Sequence, residues 1–291
     1  MQTIQYLKPG NLAEALDWME RYAGKVKPYA GGTDLMVQLR EGAKRLASTE
    51  YLLDLGGLSE LRGIKVGEQI ISIGCMVSHT EVNESADILR LAPFLSKACG
   101  TVGSPQIRNN GTVGGNICNG SPAADSLSPF VALNAKLVIA SKNGQRTELV
   151  QNFYEGASKV KLADNEIAVR IEFERIDNYK TAFIKLGRRK ALAISRMNAA
   201  AAVRLDEAGA IADVRLVPGC VFSTPMRVEK AEAFLLGKTP SPELFSECGK
   251  IVSAFMIECT GVRWSTEYKQ PVVEALSQRA LCEALGLESL Q

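Results

Sequence analysis

The first strong hydrophobic pattern along the chain is helical and spans residues 11–22. Apolar side chains recur there every three or four positions and share one face: Leu12, Ala15, Leu16, Met19 and Tyr22. That spacing predicts an amphipathic helix. Asn11, followed three residues later by Glu14, is a capping-box signal, so we expect the helix to begin there.

Shorter apolar runs in the next 160 residues predict strands joined by turns and short helices. We expect a strand ending at Ala30, a Gly-Gly turn, and a helix opening near Asp34. Residues 78–100 are predicted to be helical, with a break at Pro93. Further strands are predicted in EYLLDLGGL, in both halves of RGIKVGEQIISIGC and in NEIAVRIEFERI, a short apolar helix in PFVALNA, and a hairpin in KLVIASKNGQRTELV with a type I′ turn at Asn143-Gly144.

The C-terminal part changes pattern, from successive strands to successive helices. The predicted strands cover 181–188, 196–205 and 210–218, and the predicted helices cover 228–236, 243–258 and 271–285. Such an order predicts an α+β layer: a three- or four-stranded antiparallel sheet with helices on one face. The polar stretch RIDNYK marks a boundary, which predicts one domain over 1–175, with subdomains 1–57 and 58–175, and another over 178–288.

Composition narrows the class of protein without naming a function. The 291 residues are 46% hydrophobic and 23% charged, with a net charge of +2, values typical of a globular protein that binds neither nucleic acid nor an anionic membrane surface. Uninterrupted apolar runs are too short to span a bilayer. The first residues lack the pattern of a signal peptide, so we expect a cytoplasmic protein.

Cysteine and histidine usage argues against several kinds of site. The seven cysteines are scattered without a C-x-x-C pair, and His79 is the only histidine. We therefore expect reduced thiols, no metal site and no iron–sulfur cluster made by this chain alone. A Ser-His-Asp hydrolase is not favoured either. His79 itself is expected to be a helix cap or a surface side chain.

Two glycine-rich stretches carry the candidate chemistry. The first glycine segment is AGGTDL, residues 30–35, and the second is NGTVGGNICNGSPAAD, residues 110–125. Paired glycines let successive backbone N–H groups point at one anion, and the hydroxyls of Thr33, Thr112 and Ser121 could add donors for a diphosphate. Neither segment matches the P-loop or the G-x-G-x-x-G fingerprint. Two tight turns without a ligand remain the alternative.

A family resemblance carries the argument further. AGGTDLMVQLR and PQIRNNGTVGGNICNGSPAADSLSPFVALNAKL resemble the FAD-binding subunit of the molybdenum hydroxylases, the family of xanthine, carbon monoxide and nicotinate dehydrogenases. YLKPGNLAEAL and RWSTEYKQPVVEALSQRAL extend the resemblance to both ends. It implies an α+β fold: a two-part FAD-binding domain of the vanillyl-alcohol-oxidase or PCMH type, then the C-terminal antiparallel sheet with helices on one face. FAD would bind between the two domains.

The resemblance also assigns binding roles to particular positions. Residues 30–35 would hold the FAD diphosphate from one side, and the second glycine segment would hold it and the ribityl chain from the other. Asp125 would accept hydrogen bonds from hydroxyls, while Ile167 and Lys185 would line the flavin ring. The implied FAD contacts are Lys27, Tyr29, Ala30, Gly31, Gly32, Thr33, Asp34, Leu35, Val102, Gly111, Thr112, Gly114, Gly115, Asn116, Cys118, Ser121, Asp125, Ile167 and Lys185.

The implied function is electron transfer within a heterotrimeric oxidoreductase. A small subunit would carry [2Fe–2S] clusters and a large subunit molybdopterin, while this chain would pass electrons through non-covalent FAD to NAD⁺ or another acceptor. It would hold no catalytic residue of its own. Xanthine or another purine is the first expectation for the substrate, and carbon monoxide, nicotinate or an aldehyde are the alternatives. A self-sufficient FAD oxidoreductase of the same fold and a non-catalytic scaffold are further alternatives.

Overall fold

The computed structural model describes residues 4–189 and 191–290, which divide into two compact units. Within those residues, unit 1 takes 4–82, 104–120 and 135–175, and unit 2 takes 83–103, 121–134 and 176–290. Neither unit is therefore one continuous stretch of chain. The domain boundary placed near residue 175 stays a prediction.

Unit 1 begins with a small parallel sheet. Its strands, in the order β1-β3-β2, are β1 (Gln5–Leu7), β3 (Tyr51–Asp54) and β2 (Val26–Tyr29). Helix α1 (Leu12–Arg21) connects β1 to β2, which both pair in parallel with the central strand β3, since parallel strands of one sheet require a crossover connection. The predicted start of α1 is confirmed, because Asn11 Oδ1 accepts a hydrogen bond from the Glu14 amide at 2.9 Å. Helix α2 (Leu35–Arg40) follows β2 at the predicted position.

The second sheet of unit 1 has five antiparallel strands in the order β4-β5-β10-β6-β7. They are β4 (Ile64–Val66), β5 (Ile70–Gly74), β10 (Ile167–Glu174), β6 (Lys136–Ser141) and β7 (Gly144–Leu149). A ribbon of β8 (Tyr154–Gly156) and β9 (Lys159–Val160) and three short helices, α3 (His79–Glu84), α6 (Pro105–Asn110) and α7 (Val113–Asn119), complete the elements; α3 runs two residues past the boundary of unit 1.

The predicted β6–β7 hairpin is confirmed, but the predicted type I′ turn at Asn143-Gly144 is wrong. Ser141 pairs with Gly144, so the two residues of the loop are Lys142 and Asn143. A type I′ turn needs positive φ at both central residues, whereas only Gly144 has a positive φ here, +129°. The Ser141 hydroxyl instead accepts a hydrogen bond from the Asn143 amide at 3.2 Å, which stabilises the turn through a side chain.

Unit 2 is built on an antiparallel sheet of three strands in the order β11-β12-β13. The strands are β11 (Lys180–Gly187), β12 (Ser195–Leu205) and β13 (Ile211–Gly219). Its helices are α4 (Ala86–Leu91), α5 (Pro93–Gly100), α8 (Leu127–Ala132), α9 (Glu229–Leu235), α10 (Pro242–Thr260) and α11 (Thr266–Leu285). The predicted helix break at Pro93 is confirmed. Helix α11 begins five residues before Pro271, where the sequence predicts its start.

Both faces of this sheet are covered. Met197, Ala199 and Ala201 point to the face that α9, α10 and α11 cover, as the sequence predicts. The opposite face, which carries Asn198 and Arg215, contacts α8: Arg215 donates to the carbonyl of Ala132 at 3.1 Å. This second layer comes from the N-terminal half of the chain and was not predicted. No helix among the described residues is long and apolar enough to cross a bilayer.

Candidate functional site

The first glycine segment presents a row of unpaired backbone donors. Within the described residues, the amides of residues 31–35 donate no hydrogen bond. They precede and open α2, whose N-cap residue Asp34 makes no side-chain cap. The side chain of Thr33 adds a hydroxyl beside them. Because buried or half-buried amides normally have partners, this row has the donor chemistry that an anion such as a diphosphate requires.

Two glycines in this segment are required by the protein itself. A Cβ on Gly31 would lie 1.9 Å from the carbonyl oxygen of Asn110. Gly32 has a φ of +69°, and a Cβ there would lie 2.6 Å from the ring of Tyr29. At Gly31 the backbone of the second glycine segment occupies the space of a side chain, so this glycine is required for packing as well as for any ligand.

The centre of the second glycine segment is the helix α7, where the sequence left a tight turn as the alternative. It follows α6, and Thr112 caps α7 by accepting a hydrogen bond from the Gly115 amide at 3.0 Å. Gly120, in the left-handed region at φ +65°, ends the helix. A capped N-terminus and a glycine stop define a helix of seven residues in place of a loop.

The amides at the start of α7 are already used. Val113 donates to the carbonyl of Val77 at 2.9 Å and Gly114 to that of Cys75 at 3.1 Å, while Asn116 donates to Thr112 at 2.9 Å. A Cβ on Gly114 would lie 2.3 Å from Cβ of Cys75. The expectation that this segment offers its backbone amides to an anion is therefore wrong for residues 113–116, and its glycines serve close packing within unit 1.

The structure brings the two glycine segments of unit 1 together. Besides the approach of Gly31 to Asn110, a Cβ on Gly111 would lie 3.6 Å from Thr33 Oγ1, and one on Gly115 would lie 3.6 Å from Ala30 Cβ. The free amides of the first segment thus lie beside the residues that precede and open α7. The two stretches to which the resemblance assigns one binding role are therefore close in space, and their joint role stays a prediction.

His79 lies at the same place and is buried, which contradicts the expectation of a surface histidine, and Ser78 caps α3 in place of the other expectation that His79 is the cap. Its side chain is 2% exposed. Its backbone amide donates to the carbonyl of Gly111 at 3.0 Å, and its Cδ2 lies 3.4 Å from the position of a Cβ on Gly111. Burial, helped by the charge of Arg108, lowers the pKa of His79 to about 4, so the imidazole is neutral at pH 7.

Asp125 and Lys185 form a buried polar site in unit 2. Lys185 Nζ donates to Asp125 Oδ2 at 2.6 Å, with the two side chains only 12% and 5% exposed. Ser195 Oγ and Asn198 Nδ2 donate to the other carboxylate oxygen. Burial raises the pKa of Asp125 above its ordinary value, while the Lys185 ammonium acts in the opposite direction. Lys185 also donates to the carbonyl of Thr101, next to Val102, at 2.9 Å.

The remaining sequence-predicted residues have other surroundings. Lys27 pairs with Asp164 at 3.3 Å. The side chain of Ile167 lies in the apolar core of unit 1. Burial raises the pKa of Cys118 to about 12, so this thiol is protonated at neutral pH. The Ser121 hydroxyl accepts a hydrogen bond from the Ala123 amide at 3.3 Å.

The predicted contacts therefore fall into two groups that the structure assembles separately. Unit 1 holds Lys27, Tyr29, residues 30–35, Gly111, Thr112, Gly114, Gly115, Asn116, Cys118 and Ile167, and unit 2 holds Val102, Ser121, Asp125 and Lys185. Sequence reasoning missed His79, Ser195 and Asn198 as members of these groups. For His79 the sequence held one usable signal: Ser78 followed three residues later by Glu81 is a capping box that marks the start of α3. In the structure the Glu81 carboxylate accepts a hydrogen bond from the Ser78 amide at 2.7 Å.

The residues present fit a diphosphate-bearing cofactor better than a metal ion. The donors are consecutive amides and a hydroxyl, which suit phosphate oxygens. No group of three or more histidine, cysteine, aspartate or glutamate side chains within residues 4–189 and 191–290 is arranged to hold a metal ion.

Comparisons with known proteins agree with this geometry. Residues 2–173 match the family model described as the FAD binding domain in molybdopterin dehydrogenase, and residues 182–284 match the CO dehydrogenase flavoprotein C-terminal domain. The chain is 31% identical to the nicotinate dehydrogenase FAD-subunit of Eubacterium barkeri, over 98% of this chain and 97% of that one. It is also 31% identical to the xanthine dehydrogenase FAD-binding subunit of Escherichia coli O157:H7, over 97% and 96%.

The fold has a close match among solved structures. A chain of the carbon monoxide dehydrogenase from Hydrogenophaga pseudoflava superposes with a TM-score of 0.89 at 27% identity, over 98% of each chain. The predicted α+β architecture is thereby confirmed.

Proposed function

The chain belongs to the FAD-binding medium subunits of the molybdenum hydroxylase family, and on that premise we propose that it passes electrons through FAD from [2Fe–2S] clusters on a partner subunit. The observation that carries the proposal is the row of unpaired amides at residues 31–35, beside the Thr33 hydroxyl and the start of α7. Bound FAD supplies the redox chemistry, and the protein supplies binding and orientation.

In this proposal the first glycine segment holds the diphosphate. Its amides can donate to phosphate oxygens without a change in the fold, because no existing hydrogen bond of these amides has to break. Thr33 adds a hydroxyl donor. The second glycine segment contributes mainly position and side chains, since the amides of residues 113–116 are engaged. Ala30, Asp34, Leu35, Gly111, Thr112 and Asn116 remain proposed contacts on this basis.

The Asp125–Lys185 pair supplies the proposed contacts of unit 2. A carboxylate accepts hydrogen bonds from ribityl or ribose hydroxyls, and an ammonium group stabilises negative charge on a flavin ring. The hydrogen bonds from Ser195 and Asn198 hold Asp125 in one orientation. Val102 and Ser121 are the other proposed contacts of unit 2, and Lys27, Tyr29, Cys118 and Ile167 those of unit 1.

We further propose that the complex is a heterotrimer with an iron–sulfur and a molybdopterin subunit and that it works in the cytoplasm. The relatives are named as subunits or medium chains, which supports an assembly of several chains. Xanthine or another purine is the proposed substrate, bound by the partner, and NAD⁺ the proposed acceptor. The nicotinate relative is equally similar at 31% identity, so nicotinate is the second candidate.

Cofactor content tests the proposal. The chain is purified without a tag, its visible absorption is recorded, and the chromophore is released with acid and identified. We expect one FAD per chain, either as isolated or after FAD is added. Thr33→Val should bind FAD more weakly than Thr33→Ser, which keeps the hydroxyl. Failure to bind FAD both in the purified chain and in a complex isolated from the host contradicts the proposal.

A further inference from the structure

His79 is the most confined polar side chain near the proposed diphosphate site. Its ring is 2% exposed, and Nδ1 is fully enclosed with no hydrogen-bond partner among the described residues. A buried polar atom without a partner lowers stability, because the loss of its hydration is not compensated. Such an atom calls for a specific explanation.

Backbone hydrogen bonds fix the position of His79 at the start of α3, and its ring lies against Gly111. His79 is the first residue of α3, whose start is a complete capping box formed by Ser78 and Glu81. The His79 amide is held by the carbonyl of Gly111 at 3.0 Å. The ring edge that carries Cδ2 lies against Gly111: Cδ2 would be 3.4 Å from a Cβ built on that glycine. Thr33 Oγ1 would be 3.6 Å from the same Cβ.

The enclosed Nδ1 decides which nitrogen carries the proton. A neutral imidazole has one N–H donor and one bare acceptor nitrogen. An enclosed N–H without an acceptor is rarer in proteins than an acceptor with an unused lone pair. The favoured tautomer therefore leaves Nδ1 bare and places the proton on Nε2, which is bonded to Cδ2. A second proton would have to enter the sealed Nδ1 position, in keeping with a pKa of about 4.

We propose that His79 is a binding residue of the FAD site, held as the neutral Nε2–H tautomer so that it donates one hydrogen bond to the diphosphate at the first glycine segment. The inference rests on the proposed function. It assigns the diphosphate a neutral side-chain donor in addition to Thr33 and the amides of residues 31–35. The capping box and the bond to Gly111 fix the backbone of His79, and its burial restricts the ring before the cofactor arrives, which lowers the entropy lost on binding.

Nuclear magnetic resonance of the ring tests the tautomer directly. The tag-free chain contains one histidine, so labelling with ¹⁵N-histidine gives two ring nitrogen signals without overlap. We expect Nε2 to be protonated and Nδ1 bare at pH 7. Addition of FAD should shift the Nε2 signal and its proton far more than the Nδ1 signal. A protonated Nδ1, or an Nε2 signal that stays unchanged when FAD binds, overturns the inference.

Matched variants test the contribution to affinity. His79→Leu removes the donor, and His79→Gln keeps an N–H at about the reach of Nε2. A hydrogen bond to a charged group is worth about 1.5–3 kcal/mol, so His79→Leu should weaken FAD binding by roughly 10- to 150-fold and His79→Gln by much less. Thr49→Val is the control, since Thr49 carries another buried unpartnered hydroxyl in unit 1, and its FAD affinity should equal that of the wild type.

The outcomes separate this inference from the proposed function. If the wild type and His79→Leu bind FAD equally well, the role of His79 is overturned and the proposed FAD site is unaffected. Wild-type chain that never binds FAD overturns both. The resonance experiment needs no variant, so it decides the tautomer even where His79→Leu does not fold.

Discussion

At the scale of single residues, the candidate sites combine buried polar groups with partners that are distant in sequence. Asp125 and Lys185 are 60 residues apart and form an ion pair in unit 2. His79 contacts Gly111, which is more than 30 residues away in sequence, and Thr33 also lies close to Gly111. Side chains of this kind cost stability when they lose a partner, so their roles can be measured by unfolding experiments as well as by binding.

The buried histidine makes stability depend on pH. Its pKa is about 4 in the folded chain against 6.5 for an ordinary histidine, so between these values the unfolded state binds more protons. Stability is therefore complete above pH 6.5 and falls as the pH drops from 6.5 towards 4, by at most about 3 kcal/mol. Urea unfolding at pH 7 and pH 5 measures the change, and His79→Gln should lose less stability than the wild type over that interval. Equal losses would show that His79 does not titrate as a buried group.

The Asp125–Lys185 pair should show strong coupling in a double-mutant cycle. Asp125→Asn or Lys185→Met leaves a buried charge unpaired, and each should cost about 3–5 kcal/mol of the free energy of unfolding. The double variant should cost clearly less than the sum of the two. Urea unfolding of the FAD-free chain gives the four values.

The exposed pair Lys250–Glu247 is the control for that cycle. Its side chains are 64% and 63% exposed, so removing either partner should change stability by less than about 1 kcal/mol. Additive losses at Asp125 and Lys185 would mean that the buried contact contributes no coupling energy.

At the scale of elements, the centre of the second glycine segment is the short helix α7, which packs closely against its neighbours. Its capping residue Thr112 and its terminating Gly120 are local signals, but the approach of Gly114 to Cys75 depends on β5 and the turn after it. The glycines in both segments therefore allow two stretches of chain to touch. This contact is what places the free amides of residues 31–35 beside α7.

Alanine substitutions should separate packing glycines from replaceable ones. A Cβ at Gly31 or Gly114 would lie 1.9 Å or 2.3 Å from other protein atoms, whereas nothing lies within 4 Å of one at Gly57. We expect Gly31→Ala and Gly114→Ala each to lower the free energy of unfolding by more than about 2 kcal/mol, because overpacking forces the backbone to move. Gly57→Ala should change it by about 0.5 kcal/mol or less. Thermal and urea unfolding of the FAD-free chain provide the comparison, and equal stabilities would argue against the close contact.

At the scale of the whole molecule, two units assembled from interleaved stretches of chain carry the proposed cofactor contacts. A ligand that binds only the folded chain stabilises it in proportion to its concentration and affinity. The parts of FAD should therefore differ in how much they stabilise the folded chain, since the free amides are proposed to bind the diphosphate and not the flavin ring.

FAD and its fragments test this difference. At about one hundred times its dissociation constant, FAD should raise the free energy of unfolding by about 2.7 kcal/mol. ADP carries the diphosphate and should also stabilise the chain, whereas riboflavin lacks it and should stabilise much less at the same concentration. Thermal unfolding with each ligand gives the order. Equal stabilisation by riboflavin and FAD would contradict a diphosphate site at the first glycine segment.

The sequence by itself determined the elements whose signals are local. Apolar spacing and the Asn11 cap set α1, short apolar runs set most strands of the five-stranded sheet and of the sheet of unit 2, and Pro93 set a helix break. The glycine-rich stretches were sufficient for the family, because their order of residue types is unusual and long. These features depend on neighbours within a few positions, which a linear pattern records.

Only the tertiary structure decided which polar groups are free and which are occupied. The amides of α7 are engaged because Val77 and Cys75 lie opposite them, and His79 is buried because Gly111 lies against its ring. The second layer on the sheet of unit 2 includes α8, far away in sequence. Burial and pairing arise from packing between distant stretches of chain, and no local pattern carries that information.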